Sequence, residues 1–162
     1  MWSIKTFSEL TTTELYAIYE LRVKTFVVEQ QRIYQEVDAI DLQAHHVFKT
    51  VDQQIVAYAR IFKEANHVSF GRVVVAENQR GRHLGADLVH HILQVIAAHY
   101  GERPIQIEAQ VPVQGFYQRF GFTTSGTPFL FNHTPHIKMI KPALAAETQL
   151  KTTNQPSDQS AS

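Results

Sequence analysis

The sequence predicts a mixed α/β fold (α+β, with one mixed sheet), in which an antiparallel meander is followed by a β-α-β-α-β succession. Two observations predict it. Three segments rich in β-branched and aromatic residues follow one another closely between residues 44 and 75. Beyond them, segments of helical periodicity alternate with short strand-like segments up to residue 141.

The first helix is predicted to begin after Thr11. Thr11 and Glu14 have the spacing of a capping box, in which each side chain satisfies a free backbone N–H of the other residue. Behind them, large side chains recur at three- and four-residue spacing on one helical face: Leu15, Ile18, Tyr19, Arg22 and Phe26. Residues 30–42 are polar and irregular, and they are predicted to form a loop or a short second helix.

The meander is predicted from residues 44–51, 54–62 and 68–75. Only Asp52-Gln53 separates the first two segments, which is typical of a tight hairpin turn. The third segment ends in the β-branched run Val73-Val74-Val75, as expected of a strand.

A long amphipathic helix is predicted after the loop at residues 78–85. Its buried face is expected to carry Leu84, Leu88, Ile92, Val95 and His99. Gly101 suits the C′ position that ends such a helix. Residues 105–110 alternate as a strand, Pro112 and Gly121 bracket a helix predicted over 113–120, and two final strands are predicted at 122–131 and 136–141.

Composition limits the functions that are open. Fifteen Lys and Arg residues balance 15 Asp and Glu residues, and this zero net charge argues against nucleic acid or an anionic membrane as partner. No apolar run approaches the ~20 residues of a membrane span, and the first residues lack a secretion signal, so a cytoplasmic protein is expected. The 162 residues suit one domain, predicted over 1–145, with a disordered polar tail at 146–162.

The chain has nine histidines and no cysteine. The absence of cysteine excludes a thiolate nucleophile and cysteine-ligated metals. The adjacent pairs His45-His46 and His90-His91 point their side chains in different directions, so each pair offers a metal only one ligand. No metal site is therefore expected. A histidine-rich metal-binding protein stays an alternative that elemental analysis would separate.

A phosphate site is suggested by a strand, a loop and a helix in succession over residues 72–100. A helix that opens from a loop has free amide N–H groups and a partial positive charge at its first turn, and both favour a phosphate. Arg80, Arg82 and His83 would add charge suited to a pyrophosphate. The alternative is an ordinary glycine-containing turn with solvated arginines. The segment is neither a Walker loop nor a dinucleotide fingerprint.

A second segment of interest is residues 110–122. Val113, Phe116 and Phe120 share one helical face, which predicts that they belong to the core. Tyr117 lies beside this face, so its ring can pack while its hydroxyl points into a cleft. Taken alone, this pattern favours a structural tyrosine.

Together the two segments resemble the acetyl-CoA-binding core of the GNAT superfamily of N-acetyltransferases. The family's loop pattern, Arg/Gln-x-x-Gly-x-Gly/Ala, corresponds to Arg80-x-x-His83-x-Gly85. Its downstream pattern, Asn-x-x-Ala-x-x-x-Tyr-x-x-x-Gly-Phe, corresponds to Gln110-x-x-Val113-x-x-x-Tyr117-x-x-x-Gly121-Phe122.

This sequence departs from the family at three positions: His83 replaces glycine, Gln110 replaces asparagine and Val113 replaces alanine. The first departure brings a Cβ toward the phosphates, and we expect it to be tolerated if His83 has a negative φ. The N-terminal half, with residues 21–30 and the segment 58–61, is similar to the ElaA-type subgroup of this superfamily.

The resemblance implies a GNAT-like acyl-CoA N-acyltransferase fold with a splayed sheet, and an N-acetyltransferase with acetyl-CoA as co-substrate. The primary amine of a small molecule or peptide would attack the thioester directly. Tyr117 would be the general acid, because a phenol with a reference pKa of ~10 is close to a thiol in acidity. The residues implied to bind acetyl-CoA are Val73, Val74, Val75, Arg80, Gly81, Arg82, His83, Leu84, Gly85, Ala86 and Gln110.

The general base and the acceptor site are less sharply implied. Glu108 lies on the strand beside the thioester and is either the base or a solvated carboxylate. The acceptor is implied to contact Glu29, Asp38, Asp41, His46 and His136. Three carboxylates there would suit a cationic amine, and the alternative is a solvated loop with N-capping residues. A non-catalytic CoA-binding protein stays open as a second function, and exposed sheet edges would permit a homodimer.

Overall fold

The structure is a computed structural model and describes residues 1–143, in which seven strands form one mixed sheet in the order β1-β2-β3-β4-β5-β7-β6. The predicted fold class is confirmed. The predicted tail at 146–162 and the last residues of the predicted domain lie outside the described residues. The elements are β1 (Trp2–Thr6), α1 (Thr12–Val23), β2 (His45–Val51), β3 (Gln54–Lys63), β4 (Val68–Val75), α2 (Leu84–Tyr100), β5 (Ile105–Gln110), α3 (Gln114–Gln118), β6 (Thr123–Phe131) and β7 (Thr134–Lys141).

The predicted meander forms from β2, β3 and β4, each antiparallel to the next. Asp52 and Gln53 make the tight turn with φ of 50° and 65°. Two successive left-handed residues match the right-handed twist of the flanking strands. The predicted hairpin turn is therefore confirmed.

Strand β1 is absent from the sequence prediction. It pairs antiparallel with β2 at the sheet edge, from Trp2 opposite Lys49 to Thr6 opposite His45. Its five residues are too few for a clear alternation, and tertiary contacts hold the strand in place. The Trp2 ring stacks on His91 of α2 with 4.3 Å between ring centroids.

Helix α1 begins at the predicted capping box. The Thr11 hydroxyl accepts a hydrogen bond from the Glu14 N–H at 3.0 Å, and the Glu14 carboxylate accepts one from the Thr11 N–H at 2.9 Å. After Val23 the chain continues in wider π-helical turns to Glu29. The loop predicted over 30–42 contains one 3₁₀ turn, Ala39–Leu42.

An insertion in β4 changes which face of the sheet its side chains meet. Tyr58 of β3 lies opposite Val74, and Arg60 lies opposite Gly71, so two residues of β4 face one residue of β3. This is a β-bulge, which reverses the alternation of side chains. Before the bulge Phe70 packs on the α2 side of the sheet, and after it Val74 packs on the α1 side.

Strands β4 and β5 separate almost as soon as they meet. They are parallel, and their only pair is Val68 opposite Ile105. Strand β5 then pairs along its whole length with β7. Among residues 1–143, the edge of β4 beyond Val68 that faces β5 therefore has no strand partner.

The helix predicted over 113–120 is shorter than expected. A 3₁₀ turn, Val111–Val113, contains Pro112 and runs directly into α3. Pro112 therefore lies within this turn rather than at the start of the α-helix. Gly121 has a φ of 93°, as expected of the residue that ends a helix. Within residues 1–143, no helix is both long and apolar enough to cross a bilayer.

Candidate active site

The gap between β4 and β5 opens into a cavity of about 680 Å³, called the cleft here. One wall is the end of β4, Val73 to Val75, and the other is the end of β5, Glu108 to Gln110. Residues of α3 close one side of the cleft and residues of the 25–40 region close the other.

The wall formed by β4 offers backbone groups rather than side chains. Val74 and Val75 pair with β3 on one edge, and the edge toward β5 is open. Buried backbone N–H and C=O groups need hydrogen-bond partners. An extended ligand that carries amide groups can supply them, as an added strand would.

A second cavity, of about 530 Å³, surrounds the loop before α2. It shares Val75, Arg80 and Phe116 with the cleft, so the two cavities adjoin. Helix α2 begins at Leu84 without a side-chain cap, which leaves the amide N–H groups of its first turn available to an anion. Besides Val75 and Arg80, five residues that the resemblance implied for cofactor binding line this cavity: Gly81, His83, Leu84, Gly85 and Ala86. Arg82 is exposed and lines neither cavity.

His83 does not have the negative φ on which its tolerance was expected to depend. Its φ is 60° and its ψ is 15°, in the left-handed region. The loop needs a left-handed residue here to turn from Gly81, with a φ of 82°, into α2. Histidine is among the non-glycine residues that adopt this conformation more often than most.

Exchanging His83 therefore tests the strain in this loop. A left-handed conformation costs a residue with a Cβ roughly 1–2 kcal/mol, and glycine loses about 0.5–1 kcal/mol more backbone entropy on folding. We expect His83→Gly to raise the free energy of unfolding by up to ~1 kcal/mol, and His83→Val to lower it. Urea denaturation measures both values. A valine variant as stable as the native chain would contradict the left-handed conformation.

Arg80 lies at the junction of the two cavities and is held in place by two contacts. Its Nε donates to the Val75 carbonyl at 3.1 Å, and its Nη2 donates to a Glu29 carboxylate oxygen at 3.2 Å. Glu29 itself lines neither cavity. The ion pair is solvent-exposed and therefore weak, so an anionic ligand can compete for Arg80.

Tyr117 lies at the junction of the cleft with the α2-side core. Its side chain is 7% exposed, and its ring is 5.2 Å from that of Phe116 and 6.0 Å from those of Phe70 and Phe122. Burial raises the pKa of the Tyr117 hydroxyl above its usual value, so the phenol stays protonated at neutral pH. The hydroxyl makes no hydrogen bond to residues 1–143, and Tyr117 lines the cleft. Tyr117 thus offers a neutral O–H donor.

Glu108 and Gln110 project from β5 on the face opposite to Ile107 and Ala109, which are buried on the α2 side. Glu108 is exposed and lines the cleft. The Gln110 Nε2 donates to the Gln30 side-chain oxygen at 3.3 Å, which links β5 to the opposite side of the cleft.

Three residues expected at the acceptor site do not line the cleft: Glu29, which pairs with Arg80, and the buried Asp41 and His46. Asp41 is 1% exposed and accepts hydrogen bonds from Arg22 at 2.8 Å and Arg60 at 3.1 Å. His46 is fully buried, with Tyr58 Oη at 2.7 Å from its Nδ1 and the Asp41 carbonyl at 2.9 Å from its Nε2. Neither lines the cleft. Both residues stabilise the α1 side of the fold instead, because their side chains form their hydrogen bonds with other buried groups of the protein.

Asp38 and His136 do line the cleft. The Asp38 carboxylate is paired with Arg60 at 2.6 Å and caps the 3₁₀ turn that follows it. Partial burial raises its pKa, but the attraction of Arg60 and Arg72 outweighs this and holds the pKa below its usual value. His136 is buried, and its Nδ1 bonds to the Thr134 carbonyl at 2.8 Å.

The arginines opposite these carboxylates were not predicted as site residues. Arg22 is fully buried on α1, Arg60 is buried on β3, and Arg72 follows Gly71 at the β4 bulge. Their one signal in the sequence was a charged residue at positions where an apolar one was expected. No group of three His, Cys, Asp or Glu side chains within residues 1–143 is arranged to hold a metal ion.

The chain matches known proteins along most of its length. The family model described as Acetyltransferase (GNAT) domain matches residues 11–143. Protein ElaA of Escherichia coli is 36% identical over 150 residues, covering 90% of this chain and 98% of that protein. The crystal structure of an acyl-CoA N-acyltransferase from Pseudomonas aeruginosa superposes with a TM-score of 0.84 and 37% identity, covering 87% of this chain and 98% of that one. The crystal structure of Escherichia coli ElaA also superposes with a TM-score of 0.84 and 37% identity, covering 87% and 99%.

Proposed function

Since this chain belongs to the GNAT acetyltransferase family, we propose that it transfers the acetyl group of acetyl-CoA to the primary amine of a small molecule or peptide. The family and the ElaA-type resemblance predicted from sequence are confirmed. One observation carries the finer proposal. The open edge of β4 adjoins the cavity at the start of α2, which suits a ligand with amide groups at one end and phosphates at the other.

The residues present fit each part of acetyl-CoA. The pantetheine amides find backbone partners at Val73 to Val75, where no strand of the described residues covers the edge of β4 that faces β5. The pyrophosphate finds the free amides of the first turn of α2 and the cation of Arg80. This arrangement directs the thioester toward the end of the cleft between Tyr117 and Glu108.

In the proposed reaction the neutral amine attacks the thioester carbonyl, so that a C–N bond forms and a tetrahedral intermediate results. The intermediate collapses with loss of the C–S bond. The amine nitrogen gives up a proton to Glu108, directly or through water, and the departing sulfur takes a proton from the Tyr117 hydroxyl. Proton exchange with solvent then restores both groups.

The supporting features differ in strength for the two residues. Burial keeps Tyr117 in the protonated form that an acid needs. Glu108 is exposed, and its support is its position on the wall opposite Val73. A non-catalytic CoA-binding protein of the same fold would need neither residue. Transfer of labelled acetyl groups to a panel of amines separates the two functions, because a binding protein turns over none of them.

Acetyl-CoA is expected to stabilise the protein against heat. A ligand that binds only the native state at a hundredfold excess over its Kd adds about 2.7 kcal/mol. Arg80→Glu should weaken acetyl-CoA at least tenfold and acetyl-pantetheine, which lacks the phosphates, much less. Calorimetric melts with each ligand measure both effects, with Arg103→Glu as a control outside both cavities.

Two results would contradict the proposed cofactor site. A melting temperature unchanged by millimolar CoA and acetyl-CoA would contradict the binding of this cofactor. Equal losses for acetyl-CoA and acetyl-pantetheine in Arg80→Glu would place Arg80 away from the phosphates.

A further inference from the structure

Three arginines and three carboxylates form an ion network beside the cleft, and the arginines differ in how closely carboxylates approach them. Arg22 contacts Glu36 at 2.6 Å and Asp41 at 2.8 Å, and Arg60 contacts Asp38 at 2.6 Å. The nearest carboxylate oxygens of Glu36 and Asp38 lie 3.5 Å from Arg72. Because Coulomb attraction weakens with distance, Arg72 is the least compensated of the three cations.

The guanidinium of Arg72 also has unused hydrogen-bond donors. Its Nη2 donates to the Glu36 carbonyl at 2.8 Å and, more weakly, to an Asp38 carboxylate oxygen at 3.5 Å. Its Nε is buried without a hydrogen bond, since the 3.5 Å contact to Glu36 lacks hydrogen-bond geometry. Its Nη1 is neither buried nor hydrogen-bonded within residues 1–143. Arg72 is 13% exposed and lines the cleft, so the Nη1 donor is available to a ligand there.

The backbone at Arg72 holds a conformation that is costly for this residue. Its φ is 53°, in the left-handed region, at the β-bulge that precedes Val73. Strain of this kind persists where the surrounding structure fixes it, and it concentrates at functional sites. Here it turns the side chain of Arg72 toward the loop that carries Glu36, beside the strand that would hold the thioester.

A second cation lies close by. The guanidinium carbon of Arg32 is 4.5 Å from the centre of the Tyr34 ring, and that of Arg72 is 5.5 Å from it. Arg32 is buried, lines the cleft, and donates to neutral oxygens of Gln30, Phe131 and Asn132. Two arginines thus approach one ring. Within residues 1–143 Arg32 has no carboxylate contact, and Arg72 has only the two at 3.5 Å.

The opposite wall of the cleft carries the opposite charge. Glu108 on β5 and Arg72 on β4 both lie on the α1 side of the sheet. Glu36 and Asp38, the two carboxylates that contact Arg72, are more closely paired with Arg22 and Arg60 respectively. Burial and the nearby Arg60 lower the pKa of Arg72, which agrees with a cation that lacks a full counter-charge. A ligand with an amine toward Glu108 and an anionic group toward Arg72 matches both walls.

We propose that Arg72 binds a carboxylate of the acceptor, so that the acceptor is an amino-acid-like molecule carrying both an amine and a carboxylate. The inference rests on the proposed acetyl transfer and specifies its substrate class. It differs from the cationic amine expected from sequence, because the carboxylates on which that expectation rested are paired with arginines.

Matched acceptors test the proposal. Each proteinogenic amino acid with a primary amine is assayed beside its carboxamide at equal concentration of free amine, and 2-aminoethyl phosphate is assayed beside ethanolamine. We expect one or more amino acids to be acetylated at least tenfold faster, in kcat/KM, than the matching amide. Arg72→Gln should lower kcat/KM for that amino acid about 10- to 100-fold, mainly through KM, and for its amide less than threefold.

Controls separate binding from folding. Arg72→Lys keeps the charge and should retain part of the preference for the carboxylate, and Arg103→Gln removes a cation outside both cavities and should change nothing. Thermal melts with and without acetyl-CoA show that each variant is folded and still binds the cofactor.

Three outcomes would overturn the proposal. Amino acids and amides acetylated equally well, or reduced equally by Arg72→Gln, would remove the carboxylate contact and leave acetyl transfer intact. A preference for 2-aminoethyl phosphate over ethanolamine, with no preference for amino acids over their amides, would show that the acceptor carries a phosphate and not a carboxylate. Acetylation of no acceptor by a protein that acetyl-CoA stabilises would overturn acetyl transfer to this panel together with the acceptor class.

Discussion

Tyr117→Phe lowers kcat by about 10² to 10⁴, which corresponds to ~3–5 kcal/mol in the barrier, while acetyl-CoA affinity and Tm change little. The substitution keeps the ring, which packs against Phe70, Phe116 and Phe122, and deletes only the hydroxyl. Since that hydroxyl makes no hydrogen bond within residues 1–143, its loss leaves no protein group unpaired. The effect is therefore expected in turnover and not in stability.

Tyr100→Phe is the matched control. The Tyr100 hydroxyl bonds to His45 at 2.6 Å, and Tyr100 lines neither cavity. Its removal should cost ~1 kcal/mol of unfolding free energy and leave turnover unchanged. A Tyr117→Phe variant that keeps more than about half of the native kcat, on an acceptor for which chemistry limits the rate, would remove Tyr117 from the mechanism.

The pH dependence of turnover carries a second test of Tyr117. An acid is active in its protonated form, which is present below its pKa. Because burial raises the pKa of Tyr117 above its usual value, ionisation of this residue should cause no loss of kcat up to pH 10. An alkaline loss between pH 7 and 9 that disappears in Tyr117→Phe would contradict this environment.

The elements that the sequence predicts best are those whose signal is local. Strand β4 at 68–75 and strand β5 at 105–110 occur with the predicted bounds, because alternation and flanking turn residues define them. Strand β1 and the β4 bulge depend on partners far along the chain, on β2 and β3 respectively. Their own sequence carries no comparable signal.

The candidate site likewise has a part that local spacing predicts and a part that depends on contacts between distant segments. Arg80, Gly85 and Tyr117 could be predicted because their spacing along the chain matches the family's pattern, and all three line the two adjoining cavities. The acceptor side depends on which charges pair once the 36–41 segment lies over β3 and β4. Spacing alone does not determine whether a carboxylate such as Asp41 faces a substrate or a buried arginine.

Substitution of Asp41 therefore tests whether this residue contacts the acceptor, as the sequence implied, or holds two buried arginines in place, as the structure indicates. Asp41→Asn removes the charge between Arg22 and Arg60 and leaves both guanidinium groups buried. Breaking a buried ion pair by removing one partner costs ~3–5 kcal/mol, a large part of the ~5–15 kcal/mol that stabilises a typical domain. We expect a large fall in the urea midpoint, with little change in KM for any acceptor in the fraction that stays folded.

Asp38→Asn is the matched comparison, because Asp38 also pairs with Arg60 but is 34% exposed. Water can replace part of that pairing, so the loss of stability should be clearly smaller than for Asp41→Asn. Combining Asp41→Asn with Arg22→Met removes two members of the network together and should cost less than the sum of the single changes, since the two residues are in direct contact. An Asp41→Asn protein with an unchanged urea midpoint and a raised acceptor KM would instead return Asp41 to the acceptor site. The large expected loss follows from full burial, because in Asp41→Asn water cannot reach Arg22 and Arg60 to replace the carboxylate that they have lost.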